Sequence, residues 1–272
     1  MEGRTALTTG ANSGIGLATV IELARHGYRS VGSVRSRSKA NAVKAAAREA
    51  GVAVETVLLD LADAEACEQV MKRLKPYALV NNAGHSITGA IEDIDDAEAR
   101  SVLETMVVVP MRLARLALPW MREQGGGRIV NISSIFGRTT TPLNGWYQAA
   151  KHALEGVSDA LRVEVASSGV RVILIEPGGF KTGIWDASAA DVERRQGSRY
   201  RGAYDRMLRG TALSQPFMGD PASVARVIAS AVDSSRPRQR YLVGLDAQWL
   251  AAVDVLVPGR VRDRVTRVAL GL

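Results

Sequence analysis

Short apolar runs alternate with longer amphipathic stretches along this chain, and that alternation restricts its fold more than any other feature. "TALTTG" is followed by "LATVIELARHG", then "RSVGSV", "KANAVKAAAREAG", "VAVETVLLD", "ADAEACEQVMKRL" and "YALVNNAG". Strand, helix, strand repeats of this kind imply parallel strands, because a parallel neighbour is reached only by a crossover, and the crossover helices cover the sheet. The expected class is α/β, a doubly wound parallel sheet with helices on both faces.

The second half continues the pattern. A long helix is expected near residues 96 to 123, a strand at "GRIVNISS", a helix over about 145 to 167 and a strand at "VRVILIEPGG". The acid-rich "EDIDDAEA" from Glu92 should cap and begin the long helix, where carboxylates suit the helix dipole. From Phe180 to about Gly219 the pattern lapses into a polar, arginine-rich stretch without strand signals. Such an excursion is either a mobile lid with short helices of its own or a disordered linker. "PASVARVIASAVD" then reads as a helix capped near Asp220, and "QRYLVG" as a final strand. With no repeat and no Pro/Ser linker, the expectation is one domain over residues 1–272. It carries a lid at about 180–219 and a helical tail at about 246–272. The tail is amphipathic and basic; it can pack on the domain, form a subunit contact or rest on a membrane surface.

Bulk properties exclude several classes. A hydrophobic fraction of 46% with 23% charged residues is that of a soluble globular chain. No signal peptide is expected at the N-terminus, and the apolar segments are interrupted by Arg112, Arg115, Asp254 or proline before the roughly 20 residues a membrane span needs. Cys67 is the only cysteine, so there is no disulfide within the chain and no CxxC metal pair. These points suit the cytoplasm. The net charge of +7 comes from scattered arginines without a groove-reading motif, which argues against nucleic acid. His26, His85 and His152 stand in no ligand spacing, so no metal is expected.

Three constellations carry chemistry. "TTGANSGIGLATVIELARHG" follows the first strand and opens the first helix. Gly10, Gly14 and Gly16, with Asn12, Ser13 and Ile15 between them, allow a tight turn that brings a pyrophosphate to the free N–H groups of a helix N-terminus. The Gly-x-x-x-Gly-x-Gly spacing differs from the commoner dinucleotide fingerprint. Tyr147 and Lys151 stand four apart in "GWYQAAKHALEG", on one helical face about 5–6 Å apart at Cβ. A phenol near pKa 10 is a poor base, and a neighbouring ammonium lowers it by favouring phenolate. Ser134 ends a strand thirteen residues earlier, where its hydroxyl can orient a substrate oxygen and stabilise developing charge.

Together these motifs resemble the short-chain dehydrogenase/reductase family in its compact, single-domain form. The resemblance runs from residue 5 to about 245. It rests on "TGANSGIG", Asp60 after the third strand, "NNAG" (Asn81 to Gly84), Ser134 in "NISS", the Tyr147 and Lys151 pair, and "PGGFKT" (Pro177 to Thr182). It implies a Rossmann-type sheet, a nicotinamide cofactor and a homodimer or homotetramer joined through the helices near 96–123 and 145–167. By the same resemblance Asp60 and Leu61 border the adenine, and Asn82, Ala83 and Gly84 run along the adenosine ribose. Pro177 and Gly178 approach the cofactor, Phe180 and Thr182 hold the carboxamide, and Lys151 reaches the nicotinamide ribose. Asp60 has a plainer role available, as the N-cap of the next helix.

The end of the second strand separates the two nicotinamide dinucleotides: an acid there serves a ribose 2′-hydroxyl and an arginine a 2′-phosphate. Here Val34 holds the acid's place, Arg35 follows, and Arg37 and Lys39 are near. Guanidinium and phosphate make charge-assisted, often bidentate hydrogen bonds, so NADP(H) is expected. The expected activity is interconversion of a ketone or aldehyde and an alcohol on a lipophilic small molecule, with Tyr147 as acid/base. Trp146, Trp185 and Phe217 flank the cleft.

Two positions depart from the family pattern. Met106 stands where the family has a helix asparagine that holds a kink and orders a relay water, and a thioether is only a weak acceptor. Ala150 replaces the usual serine in "YQAAK". The relay then runs through water held by backbone, passes through another group, or is lost, which leaves a non-catalytic NADP(H)-binding sensor or scaffold as the alternative.

Overall fold

In the computed structural model, which describes residues 3–272, seven parallel strands form one sheet in the order β3-β2-β1-β4-β5-β6-β7. Met1 and Glu2, included in the expected domain, lie outside the described residues. The strands are β1 Thr5–Thr8, β2 Arg29–Val34, β3 Glu55–Leu58, β4 Ala78–Asn81, β5 Gly127–Ile132, β6 Val170–Pro177 and β7 Arg240–Val243. Every residue of β4 and β5 is buried, because helices lie on both faces and no edge of these central strands meets water. The sheet is therefore the Rossmann type that the sequence pattern implies.

One face is covered by α1 Gly14–Arg25, α2 Arg37–Glu49 and α9 Pro221–Asp233. The other is covered by α3 Ala64–Leu74, α5 Val109–Glu123 and α6 Gly145–Glu164. Leu23 and Ile228 anchor the first layer; Leu113, Met121 and Met71 anchor the second. Each such buried side chain contributes on the order of 1.5–3 kcal/mol. Chain order reverses between β1 and β4, and the crevice outside the carboxyl ends of those strands is where an open α/β sheet takes its ligand.

The helix expected over 96–123 is not continuous. It divides into α4 Asp96–Leu103, a π-helical turn at Glu104–Val108, and α5. Pro110 explains the break: it lacks an N–H, so the Met106 carbonyl has no donor four residues on, and the ladder widens by one residue. The helix is thus interrupted at Met106 without an asparagine there. Asp95 caps α4 through the Glu98 N–H, while Glu92 and Asp93 sit one turn earlier in a 3₁₀ turn. The helix read over 145–167 ends at Glu164, and a separate 3₁₀ turn covers Ala166–Ser168.

The polar stretch after Phe180 is helical: α7 Ile184–Arg194, α8 Arg201–Ser214 and a 3₁₀ turn at Gln215–Phe217. A single bridge between Phe180 and Gly219 closes its base. The tail forms α10 Leu245–Leu256 and α11 Gly259–Leu270. Among the described residues no helix is long and apolar enough to cross a membrane.

Candidate active site

A cavity of about 1440 Å³ opens at the carboxyl ends of the strands. Every residue expected at the site lines it except Gly16, which stands behind the glycine loop. That loop is shaped by contacts no side chain would tolerate. Gly10 has φ +65°, and a Cβ on it would lie 2.9 Å from the Ala83 Cα. A Cβ on Gly16 would lie 2.4 Å from the Gly10 carbonyl oxygen and 2.5 Å from Asn82 Nδ2. The loop therefore presses against the end of β4.

Hydrogen bonds fasten this approach. Thr9 Oγ1 accepts from the Asn82 and Ala83 N–H groups, both at 3.0 Å, and Asn82 Nδ2 donates to the carbonyls of Thr9 and Gly10. Asn81 Nδ2 donates to Asn131 Oδ1 at 2.8 Å, and Asn131 Nδ2 to Ser158 Oγ at 2.8 Å, which links β4, β5 and α6 under the cavity floor. Thr9 and Asn131 open the motifs "TGANSGIG" and "NISS", but these pairings were not legible from the sequence, and Ser158 inside α6 carries no spacing signal.

The N-terminus of α1 is left open toward this space. Its N-cap Ser13 makes no capping bond from its side chain, whereas α2, α3, α4 and α9 are capped by Ser36, Asp63, Asp95 and Asp220. Free N–H groups and the positive end of the dipole make an anion site there. Val34 ends β2, and Arg35 and Lys39 line the cavity beyond it; Arg37 begins α2 and does not. Asp60 accepts from the Ala62 N–H in a local turn, so the cap of α3 belongs to Asp63, not to Asp60. A cradle that a Cβ would fill, an open helix N-terminus and cationic side chains beside it fit a phosphorylated dinucleotide.

Tyr147 and Lys151 on α6 face the same cavity as Ser134, which stands two residues past the end of β5 and not on the strand as expected. Ser134 Oγ accepts from the Phe136 N–H at 3.2 Å, which fixes the hydroxyl at the start of a 3₁₀ turn. Lys151 is buried, donates to the Ile132 carbonyl at 2.8 Å, and lies 5.6 Å from the centre of the Tyr147 ring. Burial pulls the Lys151 ammonium down to about 8, opposed by the Glu155 carboxylate one turn further along α6. The Tyr147 phenol is raised by burial, with its contact to Ser134 pulling the other way. This reverses the expected direction for Tyr147: loss of hydration penalises phenolate more than the Ser134 hydroxyl favours it.

Met106 is buried against Ile87, Val102 and Ala150, beside Tyr147. Ala150 belongs to the same cluster, so the two departures from the family pattern share one small apolar patch. Trp185 and Phe217 line the cavity, and Trp185 Nε1 donates to the Phe180 carbonyl at 2.7 Å; Trp146 packs in the core beside Met106 instead. Asp246, at the start of α10, accepts from the Gly179 N–H and fixes the "PGG" turn. Glu155, Glu176 and Arg240 form a buried ion cluster behind Lys151, with Arg240 Nε 3.1 Å from Glu155 and 3.2 Å from Glu176. Burial raises the Glu155 carboxyl, which Arg240 opposes.

The family model described as short chain dehydrogenase matches residues 4–193. This chain belongs to the short-chain dehydrogenase/reductase family. It is 34% identical to the uncharacterised oxidoreductase YusZ of Bacillus subtilis, over 90% of each chain. It is 31% identical to a 3-ketodihydrosphingosine reductase of Bacteroides thetaiotaomicron, covering 93% of this chain and 92% of that one. Its fold matches the crystal structure of a single-site variant of actinorhodin polyketide ketoreductase with NADPH at a TM-score of 0.75, with 28% identity, over 89% of this chain and 97% of that one. The family is one of oxidoreductases, which does not favour the non-catalytic alternative.

Proposed function

We propose that the chain is an NADP(H)-dependent oxidoreductase that interconverts a ketone or aldehyde with an alcohol on a lipophilic small molecule, chiefly in the direction of reduction. One observation carries this: a single cavity contains both the anion cradle flanked by Arg35 and Lys39 and the Ser134, Tyr147 and Lys151 group. The NADPH-bound ketoreductase and the 3-ketodihydrosphingosine reductase support the cofactor and a lipophilic carbonyl.

The loop from Gly10 to Gly16 and the N–H groups of α1 would hold the pyrophosphate, and Arg35 with Lys39 the 2′-phosphate. Asp60, Leu61, Asn82, Ala83 and Gly84 would border the adenosine, and Pro177, Gly178, Phe180 and Thr182 the nicotinamide end. When bound, the cofactor supplies the hydride equivalent that the carbonyl carbon takes up. Tyr147, kept protonated through neutral pH by burial, donates its proton to the carbonyl oxygen. Ser134 positions that oxygen, and Lys151 resupplies Tyr147. The relay beyond Lys151 runs through water held by backbone. Residues 180–219 act as the lid over the substrate end. The protein works as a cytoplasmic homodimer or homotetramer; the exposed Val108 and Val163 support contact through α4–α5 and α6.

Titration with NADPH and NADH, then single turnover against lipophilic ketones, tests this reading. NADPH should bind tighter and be oxidised, and Tyr147→Phe should cut turnover by about 10²–10⁴ with cofactor affinity unchanged. Tighter NADH binding would refute the cofactor assignment; full turnover in Tyr147→Phe would refute the acid.

A further inference from the structure

The two C-terminal helices carry an apolar face that the fold leaves bare. On α10, Leu245, Trp249, Ala252 and Leu256 recur at i, i+4, i+7 and i+11, and all four are exposed. On α11 and its end, Val261, Val265, Val268 and Leu272 repeat the same spacing sixteen residues later, again all exposed. Trp249 is 73% exposed, Leu256 78% and Val268 77%. A stripe of that spacing is one side of a helix, and helices in a globular protein normally turn it inward. The inward sides here are mostly polar or small: Ala247 is the buried residue of α10, and α11 turns Arg262, Thr266 and Leu270 inward, of which only Leu270 packs on the apolar cluster of α7 and α8.

The apolar surface begins at the cavity. Leu245 and Leu250 line its mouth, as does Phe217, which is 88% exposed at the end of the lid. Bare apolar stripes on successive helices mark a site of association. Its charge selects the partner. Helix α11 bears Arg260, Arg262, Arg264 and Arg267 against Asp263, and α8 adds Arg206 and Arg209 where Arg206 donates to the Leu270 carbonyl. Of the nearby acids, Asp254 pairs with Arg262 and cancels one of these charges, Asp205 pairs with Arg201, and Asp246 holds the Gly179 N–H, so Arg260, Arg264 and Arg267 keep the excess positive. By helical angle, Arg264 flanks the α11 stripe on one side and Arg262 on the other.

We propose that this face docks on an anionic phospholipid bilayer, with the cavity mouth turned toward the lipid. Apolar residues of α10 and α11 enter the headgroup boundary, Trp249 sits at the interface, and the arginines meet lipid phosphates. A two-fold contact between copies of the same face would instead set these arginines against each other. Docking requires nothing of the reaction, so its test needs no substrate.

The full chain is sedimented with vesicles of phosphatidylcholine alone and of an equimolar mixture with phosphatidylglycerol. It should bind the mixed vesicles, more weakly as salt rises, with a blue shift of the Trp249 emission that is absent in Trp249→Phe. Trp249→Glu with Leu256→Glu should weaken binding roughly tenfold or more, and Arg264→Glu with Arg267→Glu should abolish the preference for anionic lipid. NADPH binding by both double variants should be unchanged, which confirms folding. Absence of binding, equal binding to both vesicles, or a dimer in solution that Trp249→Glu dissolves would each overturn the proposal.

Discussion

Under the glycine loop the cavity wall is mostly backbone, held by β1 and β4 at the centre of the sheet. At the opposite end it is side chain, supplied by α7, the turn after α8 and the start of α10. The first end tolerates no change of shape, because Gly10 and Gly16 already touch Ala83 and Asn82. The second is attached to the body by polar contacts of its side chains, together with a small apolar cluster of Val192, Ala203 and Tyr204 with Ala90 and Leu143. Asp191 accepts from the Thr88 N–H at 2.9 Å, Thr88 and Ser188 hydroxyls meet at 2.7 Å, and Arg195 Nη2 donates to both Glu98 carboxylate oxygens at 2.9 Å. Tyr204 accepts from the Ala90 N–H and donates to Asp93 at 2.7 Å. The comparison teaches that one fold can hold a cofactor with fixed backbone geometry and still vary its substrate end by exchanging side chains on helices.

The strongest way to break this contrast is at Gly16. Gly16→Ala places a Cβ inside the Gly10 carbonyl, so NADPH affinity should fall about a hundredfold or more, equivalent to at least ~2.7 kcal/mol. Calorimetric titration checks it, and near-normal affinity would show that the loop yields. At the other end, Asp191→Ala leaves the Thr88 N–H and Arg194 without their acceptor. Loss of a buried ionic partner costs about 3–5 kcal/mol, discounted here because Arg194 is largely exposed. The lid should loosen, seen as faster proteolysis within residues 184–214 and a raised KM, while the NADPH dissociation constant stays put. A matched loss of cofactor binding would deny that the two ends are independent.

A smaller change is expected from Arg35→Glu, which should weaken NADPH roughly ten- to a hundredfold and leave NADH affinity level or better. Equal losses for both cofactors would place Arg35 outside the 2′-phosphate site. The mildest effect is on pH. In the proposed mechanism reduction uses Lys151 as ammonium and Tyr147 as phenol; burial raises the phenol, and it brings the ammonium down to about 8. The rate constant kcat/KM for reduction should therefore hold at neutral pH and fall as pH rises through about 8. Glu155→Gln removes the carboxylate that raises Lys151 and should move this limb to lower pH; an unmoved limb would show that Lys151 does not set it.

Much of the first end was legible in the sequence. Glycines between an apolar run and an amphipathic stretch announce a backbone approach, because only glycine fits where Cβ would collide. The i, i+4 spacing of Tyr147 and Lys151 likewise survives folding, since helix geometry is local. The segment at 180–219 was read as an inserted lid, with short helices of its own or a disordered linker as the alternatives, but its docking was not legible: α7 and α8 carry a polar, arginine-rich surface and dock through Asp191, Arg195 and Tyr204, whose partners lie about a hundred residues away. Periodicity cannot report such pairings. The π turn at Glu104–Val108 was also missed, although Pro110 in "VVVPM" was its signal.

What the chain determined by itself is therefore its local geometry: alternating strands and helices, the glycine turn, the helical pair and the arginine beyond β2. Only the tertiary structure decided the direction of the Tyr147 shift, the cluster behind Lys151, and which apolar faces stay uncovered. Desolvation, ion pairing across strands and burial all depend on what surrounds a residue, and those surroundings are assembled from parts of the chain far apart in sequence.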